Sequence, residues 1–276
     1  MWKGCGVRST VLDRPIRGLP QRGVSDLLVL WQHPGTREIV PIGRFAFDGE
    51  VYNFGYTRAA AEVDSFRPLL GFNSLTQSYS SRAMPAVFNQ RIMSVDRPDF
   101  ADYLATLGLP TDASPWEQIV ESGGGRAGDT LQFLPMPHVS DGRARARFFA
   151  NGVRHVPGHR AELENGEVIV TGEEQERAIR QLHTGSSLAL SPELSNPVDP
   201  DATLLTCEGV PVGWVPRVLS SSVRELHQNG ATTVRVHRVS DSPEPSHTRL
   251  VLELDVPAPP GFLFDRPGNW SLLADQ

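Results

Sequence analysis

Lysine is all but absent from this chain: Lys3 is the single one, and every other basic side chain is arginine. The bias fits a high-GC bacterial genome, and it leaves arginine, the better bidentate partner for phosphate, wherever a basic residue acts. Cysteine is nearly absent too. Cys5 and Cys207 fall in different halves of the sequence, so a structural disulfide is not expected and a cysteine-ligated zinc site is excluded by number. A reducing cytoplasm fits this usage. No apolar run approaches the roughly 18 residues of a membrane span. The first 24 residues carry Arg8, Arg14, Arg17 and Arg22 but no apolar signal-peptide core. They read as a flexible tail, with a transit peptide as the alternative. Tyrosine is missing from residues 147–276. Also missing is the basic excess of a typical nucleic-acid binder. Net charge is −6; residues 1–146 carry 15 basic and 15 acidic side chains, whereas residues 147–276 carry 11 and 17. Broad phosphate-driven duplex binding by the second half is therefore excluded, while a small end-specific pocket is not.

What is present is ordinary globular material. The 276 residues, 39% of them hydrophobic, suffice for about two domains of roughly 100–200 residues each. The 25 glycines and 23 prolines, set among short apolar runs, favour strands and turns. Asp26–Gln32, Ile39–Phe47 and Val51–Tyr56 read as strands, with Asp48-Gly49 turning the chain between the last two. Residues 98–107 have helical spacing and end at Gly108. Ser114-Pro-Trp-Glu117 carries a capping box, and its helix stops at Gly123-Gly-Gly125. A strand follows at Thr130–Leu134.

The second half alternates in the manner of strands at 147–154, 187–190, 203–207, 211–215, 232–239 and 249–256, with short helices at 175–182 and 218–228. That pattern suggests a small barrel. The predicted organisation is an α+β two-domain protein: a tail over 1–24, a small β-sheet with helices over 25–138, a linker over 139–146, a β-barrel with one or two short helices over 147–257, and a tail over 258–276. Arg143, Arg145 and Arg147 alternate with alanine. They read either as charges guarding an exposed strand edge or as a stripe for a DNA backbone.

Four blocks in the second half carry a resemblance. Phe148-Phe-Ala-Asn-Gly-Val-Arg-His155, Leu182-His-Thr-Gly-Ser-Ser-Leu-Ala-Leu190, Ser195-Asn-Pro-Val-Asp-Pro-Asp-Ala202 and Val212-Gly-Trp-Val-Pro-Arg217 together resemble the ordered signature of HIRAN domains. The resemblance implies an OB-like β-barrel and engagement of the 3′ end of single-stranded DNA. It places Arg154 and His155 where members have a basic residue followed by an aromatic, and Asn196 and Asp199 on the Asn-Pro-x-Asp turn, with Asp199 accepting from the terminal hydroxyl. Arg217 is implied as a phosphate contact. Members that grip ends stack bases on aromatics where this chain has His155, Val156 and Val198, and they have asparagine where it has Asp201. The Asn-Pro-x-Asp turn also has a purely structural reading, because Asn and Asp close turns on their own backbone. Trp214 reads as facing the barrel core.

The first half, through Ile42–Gly49, Val51–Tyr56, Phe66–Leu69, Met84–Asn89 and Gly124–Leu131, resembles the N-terminal subdomain of HipA-type toxin kinases. That resemblance implies a docking domain for a protein partner, because nothing in the chain matches the kinase catalytic core. Other chemistry finds little support. Gly123-Gly-Gly-Arg126 lacks the Walker pattern. His155 and His159 are separated by Pro157-Gly158 with no third ligand near. Glu173, Glu174 and Glu176 read as a solvated face. The expectation is a non-enzymatic cytoplasmic DNA-binding adaptor that engages single-stranded DNA ends or damaged or junction DNA, with no cofactor and no metal. The alternative is an antitoxin-like regulator of a HipA-type kinase, acting by protein contact.

Overall fold

The computed structural model describes residues 25–125, 130–230, 232–240 and 248–275. The expected tail over 1–24 and positions 126–129 of the Gly124–Leu131 block lie outside the described residues. The chain forms two compact units, one built from residues up to Met136 together with the stretch from Asp265 onward, the other from Pro137–Phe264.

The first unit is an antiparallel sheet of β1 (Asp26–Gln32), β2 (Ile39–Phe47), β3 (Tyr52–Tyr56), β4 (Tyr79–Ser81) and β5 (Leu131–Pro135), in the order β4-β3-β2-β1-β5. The turn between β2 and β3 follows from Asp48, whose Oδ1 accepts from the amides of Glu50 and Val51 at 2.9 and 2.7 Å. Short helices α1 (Arg58–Ala61), α2 (Ala86–Asn89), α3 (Phe100–Thr106) and α4 (Pro115–Ser122) surround the sheet. The expected capping box opens α4: Ser114 Oγ accepts from the Glu117 amide, and Glu117 accepts from the Ser114 amide at 2.7 Å. Gly123 closes the helix in the left-handed region. The core is aromatic. Phe45, fully buried, packs against Phe88, Trp116, Tyr52 and Phe133 with ring centroids 4.4–6.3 Å apart.

The tail expected over 258–276 is not one. Leu272 and Trp270 are buried, the Arg58 amide donates to Ser271 O at 2.9 Å, and Thr57 bridges Leu272. Three apolar side chains, Trp270, Leu272 and Leu273, make this return worthwhile, since burying apolar area stabilises by about 25 cal/mol per Å².

The second unit is a seven-stranded antiparallel sheet with two helices. Its strands are β6 (His138–Ser140), β7 (Arg143–Phe149), β10 (Ser187–Pro192), β11 (Thr203–Cys207), β12 (Val210–Trp214), β13 (Thr233–Val239) and β14 (Leu250–Pro257). They run in the order β12-β11-β10-β13-β14-β7-β6. A separate hairpin joins β8 (Ala161–Leu163) to β9 (Gly166–Val168); the sequence reading placed no strand there. The helices are α5 (Gly172–Gln181) and α6 (Arg217–Gln228).

The sheet is strongly curled. Just past β7, Asn151 exchanges two backbone hydrogen bonds of 2.8 Å with Trp214 at the end of β12. One bridge joins the two margins, and no continuous ladder closes them.

The linker expected over 139–146 is a β6–β7 hairpin. Ala144, Ala146 and Phe148 point into the core, and Arg143, Arg145 and Arg147 point out. Nor is β7 an edge, since it lies between β14 and β6. Its arginines meet carboxylates across the sheet: Arg143 and Arg145 reach Asp255 at 2.5 and 3.4 Å, and Arg147 reaches Glu253 at 3.2 Å.

Of the three glutamates expected as a solvated face on α5, Glu173 and Glu174 are exposed, but Glu174 and the half-buried Glu176 are committed to partners. Glu174 completes a capping box with Thr171. Glu176 accepts from both terminal nitrogens of Arg249 at 2.5 and 2.9 Å and from Arg180 at 2.8 Å. The Arg249 guanidinium, with Arg180 adding to it, lowers the Glu176 pKa from its ordinary value to about 2. A depressed carboxylate pKa stabilises the fold above the unfolded value, and that contribution is lost as pH falls through the folded one. The Arg249–Glu176 contribution is therefore expected to disappear between about pH 4.5 and 2. Glu176→Gln should remove about 1 kcal/mol at neutral pH after solvent screening and leave the variant nearly level with the parent at pH 2. Urea unfolding of both proteins across that range measures it.

Candidate nucleic-acid interface

Three of the four sequence blocks meet at Trp214, while the second, Leu182–Leu190, leads into β10. The first ends in a single helical turn, Val153–His155, held beside β12 by the Asn151–Trp214 bridge. Gln175 of α5, itself buried, fastens the same turn by donating to Val153 O at 2.8 Å. Arg154 and His155 are consequently exposed. They touch one another, with Arg154 Nε donating to His155 Nε2 at 3.1 Å. Val156 is buried and offers no surface to a base. Arg217 is exposed three residues after Trp214, at the start of α6, with no ion-pair partner among the described residues.

The Asn-Pro-x-Asp turn has its structural role. Asn196 Oδ1 accepts from the amides of Val198 and Asp199 at 2.9 and 3.0 Å. Asp199 Oδ1 accepts from the Asp201 amide at 3.0 Å. Asp199 thus spends one carboxylate oxygen on the loop. Asp201 is half-buried. Val198, at the position where the HIRAN-like pattern has an aromatic, is 68% exposed, and Leu194 of the same loop is 53% exposed.

Trp214 does not face the core as expected. It is half-buried, and its Nε1 donates to Glu193 at 2.9 Å. Its ring meets His159 edge-on at 5.2 Å between centroids. With Val156, Val168, Val170 and Pro211 it lines a shallow crevice that has room for about one water molecule. The cause is local: Gly152 lies against the indole face, and a Cβ there would stand 2.7 Å from it.

Glu193 and His159 are the residues that sequence reasoning missed. Glu193 is 1% exposed, yet it accepts from His159 Nε2 at 2.7 Å, Asn196 Nδ2 at 2.9 Å and Trp214 Nε1. Burial pushes its carboxyl up, but the bonds from Asn196, Trp214 and His159 outweigh burial and hold its pKa below the ordinary value. The one available signal was a carboxylate ending an apolar strand three residues before Asn196.

The arrangement presents two exposed guanidinium groups with no carboxylate partner among the described residues, Arg154 and Arg217, together with a carboxylate on a hydrogen-bonded turn and an exposed valine. The Arg143, Arg145 and Arg147 stripe contributes no free cations, because Asp255 and Glu253 neutralise it. Among the described residues no three His, Cys, Asp or Glu side chains come together as a metal site, and no helix is long and apolar enough to cross a membrane. No protein-family model, no curated protein and no solved structure matches this chain.

Proposed function

We propose that this chain is a non-enzymatic DNA-binding adaptor whose second unit, an OB-like barrel of HIRAN type, engages single-stranded DNA ends. The observation that carries the reading is that three of the four HIRAN-like blocks meet at Trp214: the Asn151 bridge joins the first to it, Glu193 links it to the Asn196 turn, and the fourth block contains it and runs on to Arg217. The single-bridge closure supports the barrel reading. Arg154 and Arg217 pair with phosphates. The unspent oxygen of Asp199 accepts from a terminal 3′ hydroxyl. Val198 and Leu194 rest against the last base. The first unit docks a protein partner.

Two phosphate contacts make salt dependence shallow. For a single strand, log K should fall against log salt with a slope of about −1.4. Fluorescence anisotropy with labelled oligonucleotides, 3′-hydroxyl against 3′-phosphate, measures this. Arg154→Ala should weaken binding roughly tenfold or more, the loss of a charge-assisted hydrogen bond. A 3′-phosphate should weaken binding by repelling Asp199; equal affinity for the two ends would remove Asp199 from the reading. No binding at tens of micromolar would turn the proposal to the first unit and an antitoxin-like role.

A further inference from the structure

The ten residues between Glu193 and Ala202 form a loop whose base is clamped twice. The Glu193 amide donates to Ala202 O at 2.9 Å. Arg224 of α6 reaches the same oxygen at 2.6 Å and Glu193 O at 3.3 Å. Inside that clamp the Glu193 carboxylate faces three donors, two on one oxygen and one on the other. Asn196 and Trp214 share Oε2, and His159 takes Oε1.

These bonds have a directional consequence. An asparagine amide has one accepting and one donating side. Because Nδ2 of Asn196 is held by Glu193, its Oδ1 must face the other way, onto the amides of Val198 and Asp199. Reversing the amide would turn a donor against two donors and leave the carboxylate facing an oxygen. Glu193 thereby sets the one orientation of Asn196 that makes the turn, and the turn sets where the Asp199 carboxylate sits. The same carboxylate oxygen fixes the Trp214 indole, against which Gly152 lies immediately before the helical turn bearing Arg154. A buried carboxylate is costly to desolvate, by several kcal/mol, so its retention with three donors points to a preorganised arrangement.

We infer that Glu193 is the positioning residue of the candidate site, holding the Asn196 turn, Trp214 and His159 as one unit before any DNA end arrives. The inference rests on the turn being the end-binding element, but its structural half can be measured without DNA. Glu193→Ala leaves the Trp214 indole N–H and the Asn196 amide without their acceptor. Glu193→Gln can keep the arrangement: its carbonyl accepts from Asn196 and Trp214, and its amide donates to His159 Nε2 in the tautomer protonated at Nδ1.

The test is amide hydrogen exchange by NMR at Val198 and Asp199, with the Trp214 indole N–H, in the full chain, alongside binding of a 3′-hydroxyl oligonucleotide. In Glu193→Ala, exchange at both turn amides should accelerate roughly tenfold or more and oligonucleotide affinity should fall roughly tenfold. Glu193→Gln should restore both to within about threefold of the parent. Unchanged exchange in Glu193→Ala, or a Glu193→Gln variant as impaired as Glu193→Ala, overturns the inference. If the parent protein binds no oligonucleotide, the end-binding reading fails by itself, and the exchange comparison still decides the positioning role. Should Glu193→Ala fail to fold, Asn196→Asp replaces it. That substitution sits on the partly exposed loop, keeps an acceptor for the turn amides and sets a second carboxylate against Glu193. Faster turn exchange at neutral pH supports the inference, and unchanged exchange overturns it.

Discussion

Phe45→Ala should destabilise the first unit by about 3–5 kcal/mol, the usual cost of truncating a buried phenylalanine. Phe45 is fully buried and touches four other aromatic rings from β3, α2, α4 and β5. The cavity is therefore bounded by large rigid rings, which close in on it poorly, and the cost belongs at the upper end. A domain's whole stability is about 5–15 kcal/mol, so the first unit should be near its unfolding threshold at room temperature. Thermal unfolding followed by near-ultraviolet circular dichroism reads this directly, because the first unit holds every tyrosine of the chain. Val95→Ala, at a side chain 71% exposed, is the control and should stay within about 0.5 kcal/mol of the parent. Equal small losses at both positions would refute the aromatic cluster as the organising core.

Gly152→Ala should cost about 3 kcal/mol and disorder the candidate interface with it. Two effects add. Gly152 has φ +64, a left-handed conformation that costs an L-residue about 1–2 kcal/mol. A Cβ would also stand 2.7 Å from the Trp214 ring, an overpacking that costs about 1–3 kcal/mol. The ring has little room to yield, since Glu193 holds its Nε1 and His159 lies against its edge. The bridge between Asn151 and Trp214 should loosen, carrying Arg154 away from the turn. Urea unfolding gives the stability loss, and the Trp214 indole N–H resonance gives the local displacement. A variant with parental stability and an unmoved indole resonance would mean that the chain past β7 is not held as described.

Much of the architecture was legible in the sequence because it depends on neighbours. The strands over Asp26–Gln32, Ile39–Phe47 and Thr203–Cys207 are bounded correctly by the sequence, and β10 nearly so, because an apolar strand core flanked by polar turn residues leaves few alternatives. The Ser114–Glu117 capping box and the left-handed stop at Gly123 are contacts within four residues of one another. The Asn196 turn closes on amides two and three residues away. Such features are written in spacing.

The misreadings share a different property. Arg143 and Arg147 looked like the guard of an exposed edge or a stripe for a DNA backbone because their carboxylates stand 112 and 106 residues downstream. The segment 139–146 looked like a linker because Ser140, Asp141, Gly142 and two arginines outweigh its two inward alanines, Ala144 and Ala146. The short β8–β9 hairpin carries too little alternation to be recognised, and the C-terminal stretch looked like a tail because its partners, Thr57 and Arg58, lie over 200 residues earlier.

By itself, then, the sequence determined the α+β composition, the two units, most strand and helix positions and the residues of the Asn-Pro-x-Asp turn, all of which follow from backbone preference and contacts a few residues apart. Only the tertiary structure decided which charges are free and which are spent. It neutralised the arginine stripe of β7, turned Trp214 from the core toward a carboxylate, and placed Glu193 beneath the turn with donors 3, 21 and 34 residues away. The physical reason is that a guanidinium, an indole N–H or a carboxylate takes its character from whatever the fold brings within about 3 Å, and in an antiparallel sheet those neighbours come from strands far apart in the chain.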